Sequence, residues 1–250
     1  MQESTFKIRE RTVVIFGPIN SVVQTLATVL QEHGTDIAFI DAHASQSHRF
    51  VANLMDMRQI HNTYGRAAAL EFDVKSPEDA KEALSRAAEL FGSVDIFIDA
   101  NLNNRSFSDK LNSTQLMTNE AIEFFIGRGK GRNIFLSYDN SVLEYLKDQE
   151  ALEANKKLHD FTIEKSKCLL GKQITTNCVQ IPFTDELILE QFKGKNIQEV
   201  ISEIKKKWPS ARMVEPVDIA YIITFLASPI SSAIDGQAIH ACYSMNNYRS

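Results

Sequence analysis

The sequence predicts a doubly wound parallel α/β sheet. Three observations predict it. Short, continuous apolar runs recur along the chain, as strands buried on both faces require. Segments with helical spacing of apolar residues lie between them. The links from helix back to strand are short, so successive strands must run parallel with helices crossing over the sheet.

The elements follow in order. Thr12 to Phe16 is a buried strand ending at Gly17. Ser21 to His33 follows with Val22, Leu26, Val29 and Leu30 at helical spacing, and Gly34 caps its end. Ile37 to Ile40 is a second strand ending at Asp41, and Ala67 to Phe72 a third ending at Asp73. Pro77 to Phe91 is an amphipathic helix closed by Gly92. Val94 to Ile98 is the fourth strand, Asn112 to Ile126 a helix, and Asn133 to Ser137 the fifth strand. Ala151 to Leu170 is a long helix and Ile174 to Ile181 the sixth strand. Glu186 to Lys207 reads as one charged helix, Pro216 to Leu226 as the last helix, and Ala238 to Cys242 as the seventh strand. The expectation is one Rossmann-type domain over 1–250, with about seven parallel strands and helices on both faces. The stretch 183–212 is a helical, lid-like insertion whose run Lys205 to Lys207 reads as a solvated face.

Composition narrows the function classes. At 250 residues, 44% hydrophobic and 24% charged, the chain has the make-up of a soluble globular protein. A net charge of −5 argues against nucleic acid or an anionic membrane as partner. No leader is expected at the polar N-terminus and no apolar run approaches the ~20 residues of a membrane helix, so a cytoplasmic location is expected. Cys168, Cys178 and Cys242 lack zinc spacing and read as reduced thiols, with no metal site expected. Ten glycines in 250 residues is 4%, below the usual ~7%. A dinucleotide-binding turn depends on glycine, so this shortage is informative.

Order and spacing resemble the short-chain dehydrogenase/reductase family over nearly the full length. The last third carries most of the likeness: Arg212 to Ala220 (RMVEPVDIA), Phe225 to Ser228 (FLAS), Asp235-Gly236-Gln237, and Asn177 in the sixth strand. The resemblance implies NAD(P) binding and, in the family, a homo-oligomer formed by the helices Asn112 to Ile126 and Ala151 to Leu170.

The residues implied for the cofactor are only partly present. The family's first turn, Thr-Gly-x-x-x-Gly-x-Gly, lets backbone N–H groups and a helix N-terminus approach the pyrophosphate. Here Gly17 keeps the first glycine, while Ser21 and Val23 replace the others and Pro18 removes a donor. A serine at position 21 could still bond a phosphate. Asp41, 24 residues after Gly17, is placed to accept both ribose hydroxyls and so favour NAD(H) over a 2′-phosphate, or else to cap the next turn. Asp73-Val74 resembles the family's adenine-contacting pair, although acids are common at strand ends.

The catalytic positions are depleted. The family uses a serine after the fifth strand and a Tyr-x-x-x-Lys on the following helix, where Lys lowers the Tyr pKa and Tyr exchanges the proton. Counting back 22 residues from Asn177 puts Asn155 at the lysine position, Ala151 at the tyrosine position and Tyr138 at the serine position. None of the six tyrosines has a lysine four or seven residues on. Leu136-Ser137-Tyr138 is similar to the segment in bacterial enoyl-acyl-carrier-protein reductases, with Asp148 replacing their acting tyrosine. Asn112 falls at the family's catalytic asparagine, or is an N-cap. The reading is a binding or regulatory scaffold with residual NAD(H) binding at Gly17, Ser21, Asp41, Asp73 and Val74. The alternative is a divergent NAD(H)-dependent reductase using Tyr138 as proton donor, with Asn112.

Overall fold

A computed structural model describes residues 6–43, 45–61, 65–102, 107–184, 188–189, 192–208 and 214–243, with the side chains of 57–61 and 107–110 excluded. Seven strands form one sheet: β1 Thr12–Phe16, β2 Asp36–Asp41, β3 Ala67–Glu71, β4 Ile96–Asp99, β5 Lys130–Tyr138, β6 Gln173–Ile181 and β7 Ala238–His240. Their order is β3-β2-β1-β4-β5-β6-β7 and every pairing is parallel. The chain winds outward from β1 in one direction, returns, and winds outward from β4 in the other. That reversal leaves a crevice at the carboxyl ends of β1 and β4, where such sheets take ligands.

Alternation along β1 explains the two-sided core. Val13 and Ile15 face one layer, containing α1 (Ser21–Glu32), α2 (Ser45–His61) and α8 (Pro216–Ala227). Val14 and Phe16 face the other, containing α3 (Pro77–Phe91), α4 (Phe107–Arg128) and α6 (Gln149–Cys168). A third apolar cluster lies at the carboxyl edge. There Val142 of α5 (Asn140–Leu146) meets Phe183, Ile188, Trp208 and Cys242, with Val200 and Ile204 of α7 (Ile197–Lys207).

Local chemistry sets the helix ends. Ser76 and Asp79 form a reciprocal capping box at the start of α3, Pro77 fills its first turn, and Gly92 at φ +89° ends it. Helix α1 ends at His33, followed by Gly34 at φ +77°.

Four expectations are corrected. Helix α2 was not anticipated, because SQSHRFVANLMDMRQIH has no clear apolar stripe. The seven-residue α5 was missed as well; Asp139 starts it by accepting the Ser141 N–H at 2.9 Å. Helix α4 begins at Phe107 rather than Asn112, so Asn112 lies inside the helix and is not its N-cap. The single helix expected over 186–207 is interrupted: a turn spans 192–195, with Gly194 at φ +86°, and Asn196 then caps α7. Lys205, Lys206 and Lys207 of α7 are exposed, as a solvated face requires. Among the described residues no helix is long and apolar enough to cross a membrane.

Candidate functional site

The crevice at the topological switch holds a cleft of about 460 Å³, within the size range of small-molecule sites. Its walls come from consecutive strand ends. Phe16, Gly17 and Pro18 follow β1, Asp41 to His43 follow β2, and Phe72 to Lys75 follow β3. Asn101 after β4, with Asn112 and Ser113 of α4, completes it. Of the residues singled out from sequence, the fold brings together Gly17, Asp41, Asp73, Val74 and Asn112. Phe72, Lys75 and His43 belong to no motif in the sequence; their place within a few residues of strand ends is the signal it offers for them. The Lys75 ammonium pairs with the Asp73 carboxylate, both exposed, which leaves Asp41 as the acid without that cation.

The Gly17 turn is tight for reasons internal to the fold. Gly17 has φ +122°, and a Cβ there would stand 2.7 Å from the Asn101 nitrogen and 2.8 Å from its Cα. Its own N–H donates to the Ile40 carbonyl at 2.9 Å. The start of α1 is likewise occupied. Asn20 accepts the Val23 N–H at 3.0 Å, and the Val23 side chain is fully buried in the core. Ser21, the first residue of α1, is partly buried and is not among the residues lining the cleft.

The carboxyl end of β5 is built differently. Tyr138 is in register with Ile181 of β6 and packs between the main core and the carboxyl-edge cluster. It is absent from the cleft lining. Asn155 is buried on α6, and its amide donates to the Tyr138 carbonyl and, at 3.1 Å, to the Asn140 side chain. Asp148 caps α6 by accepting the Ala151 N–H at 2.9 Å. Ala151 is buried.

A family model described as enoyl-(acyl carrier protein) reductase matches residues 17–243. The chain belongs to the short-chain dehydrogenase/reductase family. It is 26% identical to an L-rhamnose 1-dehydrogenase (NAD(P)(+)) of a Sphingomonas species, covering 92% of this chain and 93% of that one. It is 23% identical to the oxidoreductase UcpA of Escherichia coli, covering 92% of each. Among solved structures it superposes on a short-chain type dehydrogenase/reductase from Mycobacterium ulcerans with a TM-score of 0.83 at 15% identity, covering 97% of this chain and 92% of that one. Levodione reductase gives 0.83 at 15% identity, with 96% and 99% covered.

Within this short-chain dehydrogenase/reductase, the likeness in the last third has a packing basis. The Asn177 amide donates to the Ile234 carbonyl at 2.8 Å and its oxygen accepts the Gln237 N–H at 3.1 Å. Asp235 accepts the Thr176 N–H at 2.8 Å. These bonds fix the turn before β7 onto β6. Asp99, at the end of β4, is buried, accepts the Asn101 N–H at 2.9 Å and bonds the Thr114 hydroxyl, tying the end of β4 to α4. Ala151 and Asn155, which the resemblance assigns to the family's tyrosine and lysine positions, are buried, and Asn155 ties α6 to the end of β5.

Proposed function

We propose that this member of the family is a binding or regulatory scaffold that holds the adenosine half of NAD(H) and does not transfer hydride. The observation that carries the reading is the use of Asn155. At the lysine position a neutral amide is buried and spent on the Tyr138 carbonyl, so neither a cation nor a free donor faces the cleft from there. Ala151 has no proton to exchange.

The cleft fits a nucleoside better than a whole dinucleotide. Asp41 at the end of β2 offers a carboxylate to a ribose diol, and an anion there disfavours a 2′-phosphate. Asp73 and Val74, which resemble the family's adenine-contacting pair, line the same cleft, with Phe72 adding an apolar wall. The pyrophosphate position fits poorly. Pro18 has no N–H, the Gly17 N–H is engaged with Ile40, and the Val23 N–H with Asn20. The relative named as an NAD(P)(+) dehydrogenase supports the cofactor class. Bound cofactor would supply a hydride, and the described cleft residues supply no tyrosine to move the accompanying proton.

The test is calorimetric titration of the full chain with NADH, NADPH, ADP-ribose and adenosine, with a carbonyl and enoyl-thioester reductase panel alongside. The reading expects weak binding with NADH ahead of NADPH, ADP-ribose close to NADH, and no turnover. NADPH binding at micromolar affinity or tighter would overturn the cofactor half. NADH oxidation by the native chain that Tyr138→Phe abolishes would overturn the scaffold half in favour of a Tyr138 reductase. We also propose a homo-oligomer through α4 and α6. Light scattering at micromolar concentration should give a multiple of 28.2 kDa, and a monomer mass would refute it.

A further inference from the structure

The carboxyl edge of the sheet carries a second group of polar side chains, away from the nucleotide cleft. Asp139 follows β5, His240 ends β7, and Cys242 lies two residues beyond. β6 runs between them: the Asp139 N–H donates to the Ile181 carbonyl at 2.7 Å and the Ala241 N–H to Gln180 at 2.9 Å. The Asp139 side chain is fully buried, and Cys242 is 2% exposed within the cluster around Trp208. The His240 side chain is 36% exposed and makes a contact of 2.6 Å from Nδ1 to Asp139 Oδ2. One donor atom from each of the three residues lies within 4.8 Å of the other two.

We propose that Asp139, His240 and Cys242 form a divalent transition-metal site, with zinc the ion their chemistry favours. A histidine–aspartate pair alone would account for two of these residues. Cys242, packed in the cluster around Trp208, adds at the same point a sulfur donor of the kind a borderline-soft ion selects. Oxygen, nitrogen and sulfur ligands to zinc sit at about 2.0–2.3 Å, placing donor atoms roughly 3.3–3.8 Å apart on a tetrahedron. Binding therefore opens the short Asp139–His240 contact and draws Cys242 Sγ inward. The exposed His240 ring has the freedom to make that adjustment. The thiol binds as thiolate, its proton passing to solvent.

The surroundings resemble what supports a metal ligand. Asp139 Oδ1 accepts the Ser141 N–H at 2.9 Å and the Ser141 hydroxyl, so the carboxylate is oriented before any ion arrives. Val142 and Trp208 in the same cluster form an apolar shell on the protein side. Access is from the His240 side, and three protein ligands leave a fourth position there for water or a substrate atom.

The full chain, stripped with a chelator and dialysed, should be titrated with Zn²⁺ by calorimetry and with Co²⁺ by absorption. The expected result is one ion per chain, with tetrahedral cobalt bands and a thiolate-to-cobalt charge-transfer band in the near ultraviolet. His240→Gln keeps a partner for Asp139 at an exposed position and should weaken Co²⁺ binding about 10–100-fold with unchanged circular dichroism. Cys168→Ser, at an exposed cysteine elsewhere, should leave the band intact. Absence of the charge-transfer band in the wild type, or equal Co²⁺ affinity in wild type and His240→Gln, would overturn the site. The readouts involve no nucleotide, so they stand or fall apart from the scaffold reading.

Discussion

Gly17→Ala separates two explanations for the surviving glycine of the first turn. If the glycine exists to let a phosphate approach, alanine should lower nucleotide affinity and leave stability nearly intact. The structure predicts the opposite emphasis. At φ +122° an alanine enters a region essentially reserved for glycine, which costs about 1–3 kcal/mol. Its Cβ would also meet three backbone atoms, the Asn101 nitrogen at 2.7 Å, the Asn101 Cα at 2.8 Å and the Ala100 carbonyl carbon at 3.0 Å. Backbone cannot rotate away as a side chain can. The Ala100 N–H is fixed to the Phe16 carbonyl at 2.8 Å, and Asp99 holds the Asn101 N–H. Relieving the overlap means moving the β4 turn, an overpacking cost of about 1–3 kcal/mol more. The expected loss is about 2–6 kcal/mol, measured as the change in unfolding free energy in urea by far-ultraviolet circular dichroism. A loss below about 1 kcal/mol would refute the argument from close packing.

Three further outcomes are expected. Val23→Gly, which restores a family glycine at the start of α1, should destabilise by about 3 kcal/mol, combining a core void with glycine in a helix; unchanged stability would show the valine to be dispensable. The triple variant Tyr138→Ser, Ala151→Tyr, Asn155→Lys should show no NADH oxidation with carbonyl substrates, because the occupied first turn still fails to position a cofactor; reproducible turnover would count against the scaffold reading. Burial holds the His33 imidazole below its ordinary pKa, with Glu32 opposing, so the neutral form is favoured in the folded chain. The unfolded chain then binds the extra proton first, and stability should fall as pH drops through about 6.5. Thermal melts across that range should be flatter for His33→Gln, and an identical slope would exclude His33 as the source.

Much of the framework was legible because it rests on short-range pattern. Apolar runs marked all seven strands, and Pro77 with Gly92 bracketed α3 to the residue. Helix α2 escaped because its inward positions, Ser47, Phe50, Val51 and Leu54, mix polar with apolar residues and so give only a weak stripe in the sequence. Helix α4 begins at Phe107, five residues before Asn112, whose polar side chain resembles a cap in the sequence.

At the candidate site, the sequence alone set the expectation that Ala151 and Asn155 stand in for the family's tyrosine and lysine. It also placed Gly17, Asp41 and Asp73 at strand ends, which parallel winding necessarily brings to one edge. Tertiary structure decided what those residues do instead. Only the packed chain shows that Gly17 is demanded by the Asn101 backbone, and that Asn155 is committed to the Tyr138 carbonyl. Only it brings Asp139 to His240 across 101 residues of sequence. Spacing along a chain reports contacts within one helix or strand, whereas the order in which parallel strands assemble sets which distant strand ends become neighbours.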